Sequence, residues 1–388
     1  MSILGQKIVV IGAGIGGLAV AQALALRGAD VTVLEQAEAI TEVGAGLQIA
    51  PNGLRVLAAL GLGDAVAGAA VRGQAVSLRD TGGAEVVRLD LTRLGDSRYY
   101  FLHRADLIDI LATGARDAGV KIRLLQQVAE VTPGPRPEVH LANGAHLQCD
   151  LVVGADGLHS KLRQALNGGD RPFFTRQVAW RAIVPNTVGA GPEARVHMGP
   201  GRHLVSYPLR GGEFINLVAV EERKDWAEEG WNIRDDPAHL RAAFAGFGGD
   251  VPAMLALVDQ VHLWGLFRHP VAEIWGRDNT ALLGDAAHPT LPFLAQGACM
   301  ALEDAWVLAD CLSGHDSTAA ALAAYGRKRI PRAMRVINAA SRNAWKYHLK
   351  PGPLRMAAHA ALRLGGRVAP DRMMHQFDWL YEYDVTAG

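Results

Sequence analysis

Residues 7–35 constrain this chain more than any other stretch. A β-branched apolar run, Lys7–Ile11, ends at Gly12, and Gly12, Gly14 and Gly17 then form a GxGxxG pattern. Residues 14–27 carry the small, apolar periodicity of a buried helix closed by Gly28, and residues 31–34 read as a second strand ending at Glu35. The unit is therefore βαβ, because parallel strands need a crossover helix. In such a unit the first glycine permits the turn. The second lets backbone amides approach a pyrophosphate, and the third lets the helix pack close to the strand. Glu35 would accept hydrogen bonds from an adenosine ribose. The pattern predicts a dinucleotide site, without distinguishing NAD from FAD.

Length and charge narrow the remainder. The 388 residues allow two or three domains. With 39 Lys and Arg against 39 Asp and Glu, the chain lacks the basic surplus of a nucleic-acid binder. Three cysteines, Cys149, Cys299 and Cys311, show no CxxC spacing, so a reducing cytoplasmic setting without structural metal is expected. On one helix Cys299 and Cys311 would stand about 18 Å apart, too far to bridge. Residues 8–26 carry no charge, but Gly12, Gly14, Gly16 and Gly17 favour a turn over a membrane span, and no stable membrane association is expected.

Further along, residues 44–62 read as loop and helix, with Pro51 and Asn52 at the helix start. Strands are expected at 75–79, 85–89 and 99–102, and a helix at 106–118. After Gly119 the pattern reads as βα again, with strands at 121–124, 130–132, 138–141 and 147–153. Residues 177–269 become a series of strands, including 180–184, 203–209, 214–221 and 261–267, with Trp226, Trp231 and Pro237 punctuating the last interval. That block suggests a second, largely antiparallel sheet. A strand at 280–283, a helix at 297–312 stopped by Gly314, a helical tail over 319–348, a Pro/Gly break and the aromatic end of Trp379, Tyr381 and Tyr383 complete the chain.

Two later segments add chemistry. Gly154, Ala155, Asp156 and Gly157 follow a strand, as do Gly284, Asp285, Ala286, Ala287, His288 and Pro289, which lead to Gln296, Gly297 and the pair Glu303 and Asp304. A carboxylate at Asp285 on a strand-end loop can accept hydrogen bonds from the hydroxyls of a ligand. A helix opening near Gly297 would add a positive dipole end able to stabilise an anionic group of a ligand. Asp285 could also be a simple helix cap, and His288 a loop residue before proline.

These segments, with Arg104 in HRADL, resemble the FAD-dependent aromatic-ring monooxygenases of the para-hydroxybenzoate hydroxylase fold, in the same order over almost the whole chain. The resemblance implies an α/β fold: a Rossmann-like FAD-binding domain (1–72, 101–176 and 270–345), an inserted, largely antiparallel substrate domain (73–100 and 177–269) and a helical, aromatic tail (346–388). It implies non-covalent FAD held by Gly12, Gly14 and Gly17 at the pyrophosphate, Glu35 at the ribose, Arg104, and Asp285 at the ribityl chain. Asp156 belongs to a DG motif that serves both FAD and reduced nicotinamide, with NADH or NADPH as co-substrate.

On residues 203–209 the two-residue period puts His203, Val205 and Tyr207 on one face. A histidine and a tyrosine so placed can bind a phenol and relay its proton. The GRHLVSYPLRGGE segment resembles that of monohydroxybenzoate and hydroxynicotinate hydroxylases, which implies substrate contact at His203 and Tyr207. Two positions depart from those relatives. Gln48 stands near the flavin where the hydroxynicotinate enzymes carry histidine, and Pro292 where the 3-hydroxybenzoate 6-hydroxylases have a catalytic glutamine. Gln296 could supply a nearby amide or serve only the helix start. Trp180 and Arg181 read as a core tryptophan beside a solvated arginine, or as residues shaping access. Lys328, Arg329, Arg332 and Arg335 read as a solvated or interfacial basic face.

The expected activity is hydroxylation of a small phenolic acid with NAD(P)H and O2, through a flavin C4a-hydroperoxide, in a chain that could form a homodimer. An epoxidase or hydroxylase of a prenylated or polycyclic ring and a non-catalytic flavin sensor are the alternatives. A serine hydrolase is not, since Ser160 sits in no GxSxG elbow.

Overall fold

The structure is a computed structural model and describes residues 3–40, 45–94, 98–169, 172–223, 233–343 and 347–387. Trp226 and Trp231 lie outside the described residues. The nucleotide-binding half is built on a six-stranded sheet in the order Gly276–Arg277, Thr280–Leu282, Leu151–Gly154, Lys7–Ile11, Asp30–Leu34, Lys121–Arg123. All neighbours pair in parallel except the short edge strand Gly276–Arg277. Strands buried on both faces need continuous apolar runs, and Ile8, Val10, Val31, Val33, Val152 and Val153 supply them.

Register explains why three distant glycine motifs converge. Ile11 is paired with both Leu34 and Gly154, and Gly154 with Leu282. The strands therefore end level, and the loops after them open on one edge of the sheet. In open parallel sheets ligands bind at that carboxyl edge.

A second sheet of eight strands runs Arg234–Asp235, Val261–Arg268, Phe173–Pro185, Phe214–Glu222, Arg202–Leu209, Glu193–Gly199, Ala75–Arg79, Glu85–Asp90. It is antiparallel apart from the pairing of Glu193–Gly199 with Ala75–Arg79. One face packs on Leu240, Phe244, Phe247 and Met254 from short helices, forming a separate apolar core.

Two local expectations change. The segment after Gly119 is not a βα repeat: Val128–Thr132, Glu138–Leu141 and His146–Gln148 form a small antiparallel sheet of their own. The expected strand over 147–153 is accordingly two, with Leu151–Gly154 rejoining the parallel sheet. Gly46–Ile49 is also a strand, paired with Tyr100–His103. Helices follow the expected spans: Pro51–Ala59 with proline in its first turn, Arg104–Asp117, Gly297–Gly314 and Thr318–Asn343. Three further helices, Pro353–Val368, Pro370–His375 and Asp378–Tyr381, form the tail. Among the described residues no helix is long and apolar enough to cross a membrane.

Candidate active site

A cavity of about 1420 Å³ lies between the two sheets, lined by Gly12, Gly14, Glu35, Gln48, Arg104, Asp156, Asp285, Pro292, Gln296, Gly297, His203 and Tyr207. That exceeds the roughly 300–1,000 Å³ of an ordinary small-molecule pocket, so a large cofactor and a small substrate can share it. Of the three glycines of the GxGxxG turn only Gly17 stands outside the lining, and its geometry says why. A Cβ on Gly17 would lie 2.0 Å from the carbonyl oxygen of Gly12. Gly17 is thus the close-packing glycine of the turn. Gly12 has φ +98° and no room for a side chain, since a Cβ would stand 2.6 Å from the Ala155 carbonyl oxygen. A Cβ on Gly14 meets nothing within 4 Å, because that glycine faces the cavity. The turn is therefore shaped as a cradle for a pyrophosphate.

Polar groups around the cradle fit the rest of a flavin dinucleotide. Glu35 is oriented by two backbone amides, with Ala13 N–H donating to Oε2 at 2.8 Å and Ala37 N–H to Oε1 at 2.9 Å. Arg104 opens its helix at the strand end next to the cavity. Asp156 Oδ2 accepts from Lys161 N–H at 2.8 Å, while its buried Oδ1 has no partner among the described residues. Burial pushes the Asp156 carboxyl up, against the hydrogen bonds from Ser160 and Lys161. Asp285 lines the cavity and is exposed there. Burial likewise raises its carboxyl, with His288, Arg104 and His269 acting in the opposite sense.

The helix Gly297–Gly314 begins at the cavity wall without a side-chain cap. Its free amides and positive dipole end are available to a ligand. Ala295 reaches that helix start through a left-handed φ of 51°, an uncommon conformation for a residue with a side chain. Gln296 is buried, its Oε1 accepting from Asn52 Nδ2 at 3.0 Å while Nε2 has no partner among the described residues. An orphaned buried amide, an orphaned carboxylate oxygen and an open glycine cradle all fit FAD. Gln48 is engaged at its Oε1 by the Tyr99 hydroxyl at 2.9 Å.

The second sheet forms the opposite wall. His203 and Tyr207 are both buried and both line the cavity, with Val205 between them on the same strand face. Burial drives the His203 imidazolium well below its ordinary range, aided by His348. His203 Nδ1 lies 2.7 Å from His348 Nε2. Burial also pushes the Tyr207 phenol up, so it stays protonated; Arg181 and Asn216 act against that shift. Asn216 is held by the Gly46 amide, which donates to its Oδ1 at 2.7 Å. A Cβ on Gly46 would come 2.6 Å from the Tyr207 ring. Pro292 opens a short 3-10 turn on the cavity rim.

Several readings are corrected. Arg181 is not a solvated neighbour of a core tryptophan: it lines the cavity with its guanidinium 4.1 Å over the Trp264 ring. Trp180 does belong to the core, donating from Nε1 to Asp235 at 2.7 Å. The basic helix residues divide, since Lys328 and Arg335 are exposed while the other two are not. Arg329 and Arg332 are buried against Glu303 and Asp304, and Arg335 stacks on Trp379 at the cavity. His288 is a buried partner of Asp304 stacked on Trp275, and it does not line the cavity. Sequence reasoning missed His348 and the contribution of Trp379 and Tyr381 to the wall. Only the aromatic content of the tail hinted at the latter.

Residues 6–340 match the FAD binding domain family. The chain is 35% identical to 3-amino-4-hydroxybenzoate 2-monooxygenase PtmB3 of Streptomyces platensis, over 98% of this chain and 96% of that one. It is 34% identical to 3-hydroxybenzoate 6-hydroxylase of Klebsiella oxytoca, over 88% and 89% of the two chains. The structure of Klebsiella pneumoniae HpxO complexed with FAD and uric acid superposes with a TM-score of 0.83 at 28% identity, covering 95% of this chain and 96% of that one. The glycine cradle and the match over most of the chain agree, and this chain belongs to the FAD binding domain family as an FAD-dependent monooxygenase.

Proposed function

We propose that the protein is an NAD(P)H-dependent flavoprotein that hydroxylates a small phenolic aromatic acid. One observation carries the reading: His203 and Tyr207 project from one strand face into the same cavity as the dinucleotide cradle. The relatives' names support it, since they act on hydroxylated benzoic acids. Gly12, Gly14, Glu35, Arg104, Asp156, Asp285, Gln296 and Gly297 would hold FAD, with Gln48 and Pro292 at the border with the substrate. Bound there and reduced by NADH or NADPH, FAD would supply the two electrons that activate O2, one oxygen atom going to the ring and the other leaving as water.

The chain's own residues prepare the ring. Oxygen attack on an aromatic ring is electrophilic, so removing the phenol proton raises the ring's reactivity. His203, kept neutral by burial, is the acceptor for that proton. Tyr207, kept protonated by burial, donates a hydrogen bond to the substrate oxygen. Arg181 supplies a cation on the same wall for the substrate's carboxylate. Val205, Val218, Val220, Met198 and Phe293 line the space between and exclude water from the reacting atoms.

The test is NADH and NADPH oxidation with a panel of 3-amino-4-hydroxybenzoate, 3-hydroxybenzoate, salicylate and 6-hydroxynicotinate, with products weighed by mass spectrometry. A product heavier by one oxygen atom is expected from at least one of them. Peroxide alone, with no ring product from any, overturns the proposal.

A further inference from the structure

The wall behind His203 is polar, and its chemistry is ordered. His203 Nδ1 lies 2.7 Å from His348 Nε2, and His348 Nδ1 lies 2.7 Å from Glu222 Oε1. Both histidines are buried, whereas the Glu222 side chain is 51% exposed. The three groups therefore form one unbroken line from the cavity to solvent. Backbone contacts fix the line: Glu222 N–H donates to the Gly201 carbonyl at 2.8 Å, and Gly201 N–H donates to the His348 carbonyl at 3.2 Å. The neighbouring cations are taken up elsewhere. Arg202 and Arg223 both pair with Glu221, at 3.3 and 3.1 Å, which leaves Glu222 as the carboxylate for His348.

We propose that His348 and Glu222 relay the substrate's phenolic proton from His203 to bulk water. The inference rests on the monooxygenase reading for the identity of the phenol. Hydrogen-bond bookkeeping sets the direction. An ionised Glu222 only accepts, so a neutral His348 must present Nδ1–H to it and accept at Nε2. His203 then donates from Nδ1–H and turns an unprotonated Nε2 toward the cavity. That tautomer is the one a base needs.

The transfer balances without any further reagent. The phenol O–H breaks as His203 Nε2–H forms, and His203 Nδ1–H breaks as His348 Nε2–H forms. His348 Nδ1–H breaks as Glu222 Oε1–H forms, and Glu222 releases the proton to water. Both imidazoles end neutral with their tautomers exchanged, and returning a proton to the cavity resets them. Burial makes a lasting charge on either ring costly, since it lowers both imidazolium groups; Glu222 opposes that effect at His348 and Arg202 adds to it. Tyr347 and Phe293, the other rings against His203, form its packing.

His348 and Glu222 act through His203 and are positioning residues, so the test reads the proton itself. The FAD-loaded enzyme is kept oxidised and mixed rapidly with 3-hydroxybenzoate or 3-amino-4-hydroxybenzoate, and phenolate formation is followed by ultraviolet difference spectra. His348→Ala is expected to slow that step roughly 10- to 100-fold while leaving ligand affinity intact, and added imidazole should restore the rate. Glu222→Gln keeps an acceptor at the half-exposed end but cannot carry the proton, so it should slow the step and shift its pH profile. Phenolate formation at the wild-type rate in both variants overturns the relay, as does a slow rate in His348→Ala that imidazole leaves unchanged. Absence of phenolate with either ligand bound to the wild-type enzyme also overturns it. Phenolate in the wild-type enzyme without oxygenated product on full turnover overturns the monooxygenase reading and leaves the relay standing.

Discussion

Arg329 and Glu303 meet where neither side chain touches solvent, Nη1 donating to Oε2 at 2.6 Å. Arg329 Nε also donates to Asp304 Oδ1 at 2.7 Å, and Glu303 Oε1 accepts from Arg332 at 3.0 Å and from Asn52 at 2.6 Å. Asn52 in turn holds Gln296 at the cavity. The network joins three helices, and Arg332 extends it to the tail through the carbonyls of Trp379 and Leu380. The charges that fasten the fold thus end beside the cavity.

Removing one partner of such a network leaves an unpaired buried charge. Arg329→Met should cost about 3–5 kcal/mol of stability, far more than an exposed pair such as Lys328 with Asp310. Denaturant unfolding of the two variants, Arg329→Met and Lys328→Met, checks the contrast.

The same network sets a pH dependence. Burial would raise the Asp304 carboxyl, but His288 and Arg329 outweigh it and hold the group at about 2. A carboxyl depressed in the folded state contributes stability that is complete above its unfolded value and is lost as pH falls toward the folded one. Stability should therefore be insensitive to Asp304 above about pH 4 and decline between about pH 4 and 2. Unfolding curves across that interval measure it, and the decline should be smaller in Asp304→Asn.

How much of this could be seen in the sequence depends on the distance over which each feature is decided. The glycine cradle was legible because strand, turn and helix lie within residues 7–35, and the level ends of Ile11, Gly154 and Leu282 bring the other two motifs to it. His203 and Tyr207 were legible because a strand's period of two needs no partner. The burial of Arg329 was not, since helical periodicity shows a basic face but not the acidic helix that covers it. His348 was equally hidden, because it meets His203 across 145 positions. The small sheet from Val128 to Gln148 was misread because apolar alternation does not distinguish a parallel neighbour from an antiparallel one.

Two glycines of the turn should separate folding from cofactor binding. Gly17→Ala drives a methyl group into the Gly12 carbonyl, so the fold itself is expected to lose about 1–3 kcal/mol. Gly14→Ala meets open space on the cavity side and should fold normally while retaining less flavin. Thermal unfolding of the flavin-free proteins and the absorbance kept after desalting distinguish the two effects.

The thiols are expected to be silent in the native protein. Burial pushes Cys299 up to about 12 and Cys149 to about 11, and all three cysteines are buried. Since the thiolate is the reactive form, a chromogenic disulfide reagent should label none of them at pH 8 and all of them in guanidinium. Rapid labelling of the folded protein would contradict the packing of Cys299, whose sulfur accepts from the Ala50 amide at 3.4 Å.

Tyr207 offers the cleanest separation of chemistry from packing. Its ring lies 5.3 Å from that of Phe101, a contact that Tyr207→Phe preserves, so the variant should unfold at nearly the wild-type temperature. It loses only the hydroxyl, and a hydrogen bond to a developing phenolate is worth about 1.5–3 kcal/mol, or roughly a 10- to 100-fold fall in kcat/KM. Gly46→Ala should impair both activity and stability, because its methyl group would collide with the ring and with Asn216. The pH profile adds a second reading. Because burial lowers the His203 imidazolium and raises the Tyr207 phenol, the proposed base becomes charged only at a pH below its ordinary range and the proposed donor stays protonated in mild alkali. Activity should fall on the acid side only as pH drops through the lowered His203 value. A profile in product formation with its acid limb at or above 6.5 would place the essential base on another residue.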